Sequence, residues 1–400
     1  MIITSAVGAL PKGAVVDKIK TMQTAIPSLF MRGGSSRGPF FLASDLPEDL
    51  VTRDRVLLSV MGSPDRRQID GMGGAHPLTS KVGIVSLSQT PGVALDFLFA
   101  QLQPERDTVD TSPNCGNMLA AVVPFALECG LIDAQGDATT VRVLTLNTQM
   151  QCDVTVQTPL TPWGRRVRYD GDARIDGVPG TAAPITINFL ETAGSVCSGL
   201  LPTGKVRDVV KVQGEGFESF SLPVTCIDNG MPLVLLRASD LGCTGYETVA
   251  EMNANTALKV RLEALRIHCA YLMGLGDVTS KNYPKMTLIS APREGGSLCT
   301  RSFIPHVCHD AIGVLAAVTV GTACVLQGSV TEGLTKMARG TTTTTTTVSV
   351  EHPTGEFSVE LGLDPANPQR VTRAALLRTA RLLMRGEVMV PASIWKGRSA

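Results

Sequence analysis

Excess charge is the first thing this chain lacks. Lysine plus arginine and aspartate plus glutamate number 36 each, so the formal net charge is zero. Without a basic surplus there is no electrostatic footprint for nucleic acid or for an anionic membrane surface. Aromatic residues are scarce at 4%, which argues against a base-stacking surface as well. No uncharged apolar run reaches the roughly 18 residues that a membrane span needs. The five histidines are dispersed apart from His306 and His309, and the ten cysteines form no C-x-x-C pair. Neither zinc-ribbon spacing nor a disulfide framework can be read from them. Free thiols in a reducing cytoplasm, with no metal and no cofactor, are the expectation. The first 21 residues lack the basic start and long apolar run of a secretion signal. They are read as a leader, disordered or an upstream extension, with Met22 as an alternative start.

What is present is apolar residue in quantity, 44% of 400 residues, enough for two packed domains or three. One stretch stands out. Thr111-Ser112-Pro113-Asn114-Cys115-Gly116-Asn117 is a run of turn formers holding one cysteine, and a small-residue apolar helix is expected over 118–127, interrupted only by Pro124. Cys115 therefore falls where a helix begins. Unpaired amides and the positive end of the helix dipole favour a thiolate or a bound carboxylate there.

Two further loops carry chemistry. Between strands at 25–30 and 40–42, Met31-Arg32-Gly33-Gly34-Ser35-Ser36-Arg37-Gly38 offers free amides and hydroxyls between two arginines, a cradle for a carboxylate or phosphate. A plain hairpin turn would read the same way. Asp70-Gly71-Met72-Gly73-Gly74 then leads through Thr79-Ser80 to Lys81, at the mouth of a strand over 82–87. A lysine at such a junction is ordinarily a solvated one. A helix over 48–61 has Pro47 in its first turn and Asp45 as its cap.

Gly199 to Gly204 marks a domain boundary, and the opening pattern then returns. A strand over 298–304 enters Pro305-His306-Val307-Cys308-His309-Asp310, followed by an apolar helix over 312–326. Each half thus has strands and one buried helix behind a polar loop, which implies a duplicated architecture. An amphipathic helix is expected over 258–273 and another helix over 372–384, before a last strand at 387–390. The threonine run at 341–347 reads as an edge strand or a loop, and Arg339-Gly340 favours the loop.

The glycine-rich arginine loop, the 70–74 turn, Thr79-Ser80-Lys81, Asn114-Cys115-Gly116-Asn117, Asp176-Gly177-Val178-Pro179-Gly180-Thr181 and Glu351-His352-Pro353 together resemble the methylaconitate-isomerase and 4-oxalomesaconate-tautomerase family. The resemblance runs from about residue 26 to 391. It implies an α+β, diaminopimelate-epimerase-like fold: two similar domains, each a strand layer wrapped around a central helix, with the active site in the cleft between them. The domains would be 22–204, completed by a C-terminal strand at 384–400, and 205–383. It further implies a cofactor-independent isomerase of small unsaturated polycarboxylates, with Lys81 and Cys115 as the catalytic pair. Pro77-Leu78-Thr79-Ser80-Lys81 and Ser112-Pro113-Asn114-Cys115 look more like the oxalomesaconate branch. Methylaconitate isomerisation and a non-enzymatic carboxylate-binding accessory protein are the rival readings.

Shifting a double bond beside carboxylates removes a proton from one carbon and returns it to another, through an intermediate with charge on oxygen. Lys81 is read as the group that takes the proton and Cys115 as its partner, the order of acid and base staying open. Arg32, Ser35, Ser36, Thr79, Ser80 and Asn114 would hold substrate, with the amides of Gly116, Asn117 and Met118. His306 and His309 would close the site from the second domain. The resemblance departs from two-cysteine epimerases at Cys308, which no glycine follows, and this argues against a symmetric two-thiol racemase. Homo-oligomerisation stays open.

Overall fold

A computed structural model describes residues 22–190, 192–337 and 345–397, the side chains of 367–370 excepted. The leader expected at 1–21 and threonines 341–344 lie outside the described residues. From the N-terminus come β1 (Gln23–Gly33), β2 (Ser36–Leu42), α1 (Leu50–Met61), β3 (Lys81–Leu87), β4 (Leu95–Gln103), β5 (Arg106–Asp110), α2 (Gly116–Leu119) and α3 (Val122–Glu128). β6 (Ala138–Thr145), β7 (Met150–Gln157), a small ribbon of β8 (Leu160–Thr161) and β9 (Gly164–Arg165), and β10 (Ile185–Phe189) follow. Then come β11 (Asp208–Val212), β12 (Phe220–Asp228), β13 (Pro232–Arg237), α4 (Val249–Ala254), α5 (Thr256–Leu272), β14 (Lys285–Ser290) and β15 (Leu298–Phe303). The chain closes with α6 (Val314–Val325), β16 (Thr345–His352), β17 (Gly355–Asp364), β18 (Asn367–Arg378) and β19 (Ala380–Pro391).

The two halves repeat one pairing scheme. β1 and β2 form an antiparallel hairpin, β2 runs parallel to β3, and β3 antiparallel to β4. β4 lies parallel to β6, which turns back into β7 and β10. In the second half β12–β13, β13–β14, β14–β15, β15–β16, β16–β17 and β17–β18 repeat those relations in the same order. β18 also pairs with β10, and β19 with β1, so the end of the chain stitches the halves together.

This pairing aligns the repeats residue by residue. Leu42 on β2 registers with Val85 on β3, and Arg237 on β13 with Ile289 on β14. Both β2 and β13 run straight into a 3-10 turn, Ala43–Asp45 and Ala238–Leu241. On that alignment Lys81 and Lys285, the first residues of β3 and β14, are equivalent. The residues capping the central helices, Cys115 and Gly313, are equivalent as well.

Each repeat wraps its strands around an apolar helix. Around α2 and α3 pack Phe40, Phe97, Phe99, Val143, Val154 and Ile187, all fully buried or nearly so. α6 is buried from Ala316 to Ala323, as an all-round apolar helix must be. Its Thr319 and Thr322 hydroxyls donate to the Leu315 and Val318 carbonyls, so their burial leaves no orphan donor.

Three expectations are corrected. Residues 372–384 form no helix: they supply most of β18 and the start of β19. Their helix-forming alanines, leucines and arginines are overruled because Leu376 and Ala374 pair with Val359 and Leu361 in a buried ladder. The helix expected over 118–127 is two short ones, since Pro124 has no N–H to donate to the carbonyl four residues back, and Ala121 instead bonds Met118 O. α1 is capped by Asp49, whose carboxylate accepts from Thr52 N–H at 2.8 Å, and Asp45 lies in the preceding turn. Thr345–Thr347, the described part of the threonine run, open β16.

Glu351 anchors the loop before β15. Its buried carboxylate accepts from the amides of Arg293 (2.8 Å), Glu294 (2.8 Å) and Gly296 (2.7 Å). Glu351→Ala leaves those amides without an acceptor, and the expected loss of about 3–5 kcal/mol is measured as a shift in the urea midpoint.

Candidate active site

The cysteine loop is held from two sides. Asn114 Oδ1 accepts from the Cys115 N–H at 3.0 Å, while Asn114 Nδ2 donates to the hydroxyls of Thr145 (3.3 Å) and Thr148 (3.2 Å). Asn147 moors the loop to β4: its Oδ1 accepts from Phe99 N–H, and its Nδ2 donates to Phe99 O (2.8 Å) and Thr111 O (2.6 Å). Cys115 occupies the cap position of α2 in an extended conformation, and its side chain makes no capping bond. The thiol is therefore not engaged by the helix it precedes.

Lys81 meets the same anchor. It is 8% exposed, its Nζ lies 4.9 Å from the centre of the Phe99 ring, and it donates to Gln101 Oε1. Gln101 sits opposite Lys81 across the ladder and donates in turn to the carbonyls of Pro77, Ser80 and Leu102. Phe99 thus carries the lysine on its ring and the cysteine loop on its backbone.

Asn117 gathers the rest. Its Nδ2 donates to Ser35 Oγ at 3.1 Å and Ser36 Oγ at 3.4 Å, and its Oδ1 accepts from Arg378 Nε at 3.1 Å. The approach requires glycine at 34, where φ is +53° and a Cβ would stand 2.2 Å from Asn117 Oδ1. The start of α6 closes the opposite side. A Cβ on Gly116 would lie 2.9 Å from Val314 Cγ2, so the two helix starts nearly touch. A Cβ on Gly313 would lie 3.6 Å from Lys285 Nζ. Burial holds the Lys285 amine below the ordinary lysine range, and the positive start of α6 opposes its charge further.

Other residues singled out above are turned elsewhere. Arg32 Nη1 donates to Gly34 O (2.8 Å) and to Thr379 O and Oγ1, on the wall of a separate cavity of about 340 Å³. Ser80 is fully buried, with its hydroxyl bonded to Gln68 Oε1 and His76 O. Thr79 donates to His76 O; Met118, named for its amide alone, follows Gly116 and Asn117 in α2 with its side chain in the first core. His306 faces Glu263 on α5, with Nδ1 3.4 Å from Oε2, so it does not reach this group. His309 stays near the start of α6, its Nδ1 2.9 Å from Ala311 O. Gln101, Lys285, His352 and Arg378 were not foreseen. His352 lay in a motif without an assigned role, Arg378 was hidden in a stretch read as helix, and the match between Lys81 and Lys285 needs the strand registers.

His352 lines a cavity of about 830 Å³ with Arg293, Arg301, Glu351 and Glu356. Neither Lys81 nor Cys115 lines it, and Arg301 is already held by the carbonyls of Glu247 and Thr300. This cavity is therefore distinct from the lysine–cysteine group. Burial pushes the His352 imidazolium down to about 4, against an upward pull from Asp176. The unfolded chain takes up this proton near pH 6.5 and the native one only near 4. Stability present above pH 6.5 is thus lost as the pH falls from 6.5 toward 4. The expected loss is about 3 kcal/mol at most, and His352→Gln flattens that slope in urea midpoints taken between pH 4 and 7.

Two similar halves, each a strand layer wrapped around a central helix, are the fold of an α+β isomerase. The chain belongs to the PrpF protein family, whose model matches residues 23–391. It is 52% identical to a (4E)-oxalomesaconate Delta-isomerase of Novosphingobium sp. strain KA1, over 91% of this chain and 97% of that one. It is 51% identical to a 4-oxalomesaconate tautomerase of Pseudomonas putida, over 94% of this chain and 99% of that one. Among solved structures, a methylitaconate-delta-isomerase superposes with a TM-score of 0.79 at 32% identity, covering 94% of this chain and 97% of that one.

Proposed function

We propose that this protein moves a proton and a double bond within a small unsaturated polycarboxylate, with 4-oxalomesaconate as the substrate. The observation that carries the reading is the shared anchoring of Lys81 and the Cys115 loop on Phe99, in a chain whose relatives named for that substrate stand at 51 and 52% identity. The relative named for methylitaconate stands lower, at 32%.

The reaction needs no net redox change. One group withdraws a proton from carbon, the electron pair spreads onto the conjugated oxygens, and a second group delivers a proton two carbons away. Lys81 and Cys115 are assigned these two roles. Ser35, Ser36 and Asn117 are assigned to substrate oxygens, and Asn114 to holding the thiol in place. Lys285 faces the start of α6 and takes a carboxylate on the far side. Two domains are assigned, 22–204 and 205–383, around the cores that enclose α2–α3 and α6, with β19 returning the end of the chain to the first. A cytoplasmic location is supported by ten cysteines that are all free.

The test is 4-oxalomesaconate in deuterated buffer, followed by ultraviolet absorbance and proton NMR. Conversion with deuterium at a defined carbon is the expected result. Turnover of 2-methylaconitate in its place moves the protein to that reaction. Silence on both leaves an accessory carboxylate-binding role.

A further inference from the structure

We infer that Arg378 is the receptor for one carboxylate of the substrate, which it grips through Nη2 on the Cys115 side of the site. The inference rests on the proposed function for the class of ligand. Arg378 ends β18, opposite Ile185 on β10, at the seam where the sheets of the two halves meet. It is 3% exposed. Its guanidinium is fixed on every side but one. Its Cζ lies 4.2 Å from the centre of the Phe357 ring, Nε donates to Asn117 Oδ1 at 3.1 Å, and Nη1 donates to Leu377 O at 2.8 Å. Nη2 is buried and has no hydrogen-bond partner among the described residues.

That arrangement is costly unless a ligand completes it. A buried guanidinium without a counter-charge is strongly disfavoured, and an orphaned buried donor adds to the cost. Glu356, whose charge reaches the guanidinium, is turned to the hydroxyls of Ser349 and Ser358 and forms no ion pair with it. Cys115 lies within electrostatic reach of it. Asn117, two residues beyond Cys115, is the bridge between them. A carboxylate on Nη2 supplies the missing acceptor and an anion in direct contact, in the planar geometry that guanidinium matches best. Preorganised by Phe357 and Asn117, the arginine loses little freedom on binding, and it orients the conjugated chain relative to the thiol.

The probe is tricarballylate, a saturated tricarboxylate that binds but cannot isomerise. Calorimetry compares the unmodified protein with Arg378→Lys and Arg378→Met, and 4-oxalomesaconate kinetics are run on the same three. The expected result is binding by the unmodified protein, weakened about 10- to 100-fold in Arg378→Met, with KM raised more than kcat is lowered. Arg378→Lys recovers part of the binding, and added methylguanidinium restores affinity to Arg378→Met but not to the unmodified protein. A purely structural arginine would show no such rescue. Equal tricarballylate affinity in the unmodified protein and Arg378→Met overturns the inference, as does the absence of binding to the unmodified protein. Binding that depends on Arg378 without turnover of 4-oxalomesaconate upholds the receptor and overturns the proposed reaction instead. Should both variants unfold, a structure of the unmodified protein with tricarballylate decides: a carboxylate oxygen within hydrogen-bond distance of Nη2 upholds it, and a ligand bound away from Nη2 overturns it.

Discussion

Lys81→Met stops turnover, lowering kcat by at least about 10³-fold, while the protein stays folded. Methionine fills nearly the volume of the lysine stem, so the Phe99 contact and the core beneath it survive. The amine is what disappears. Gln101 loses the donor on its Oε1, yet its amide remains tied to the carbonyls of Pro77, Ser80 and Leu102, so the local frame is kept. A stability loss of about 1–2 kcal/mol is expected from the unsatisfied oxygen. The kinetic loss is larger because Lys285, its equivalent in the second repeat, lies beside Gly313 at the start of α6 and not on Phe99. Steady-state rates with 4-oxalomesaconate, alongside a thermal melt, check both halves. A folded variant that keeps a near-normal rate removes Lys81 from the chemistry.

Cys115→Ser gives the second large effect, a fall of about 10²–10⁴-fold in kcat. Serine is a good helix-capping residue and nearly isosteric, so α2 and the Asn114 contact are retained. The hydroxyl is a far weaker acid than the thiol, and proton transfer at carbon slows accordingly. The two variants together separate the roles. With two groups, each serving its own carbon, each variant loses deuterium exchange at one position and keeps it at the other. With one group serving both carbons, a single variant abolishes exchange at both and the other leaves it intact. Proton NMR of substrate and of product, each incubated separately with each variant in deuterated buffer, distinguishes these patterns, and an identical pattern in both overturns the division of labour.

Legibility in the sequence followed the range of the interactions concerned. The Cys115 helix start and the Lys81 strand start were readable because turn formers and apolar periodicity act over neighbouring residues. α6 was readable for the same reason, its apolar run extending round every face. The 372–384 segment was misread because its residues prefer helix locally, and only the ladders to β17 and β10 make them strand. The same misreading concealed Arg378. His306 and His309 look alike in the chain, yet one pairs with Glu263 on the outer helix α5 while the other stays at the start of α6.

By itself the sequence determined the duplicated α+β plan and the family, and it singled out one lysine and one cysteine as candidates for proton transfer. Each of these is written in local pattern and motif. Tertiary structure alone decided that Phe99 anchors the lysine and the cysteine loop together, that Lys285 is the repeat partner of Lys81, and that Ser80 and Arg32 are turned to backbone and side-chain partners of their own. It also decided that Arg378 ends beside Asn117 with one donor unmet. The physical reason is that hydrogen-bond partners, burial and the meeting of charges come from strands distant in the chain, and no spacing along the sequence encodes which of them will be neighbours.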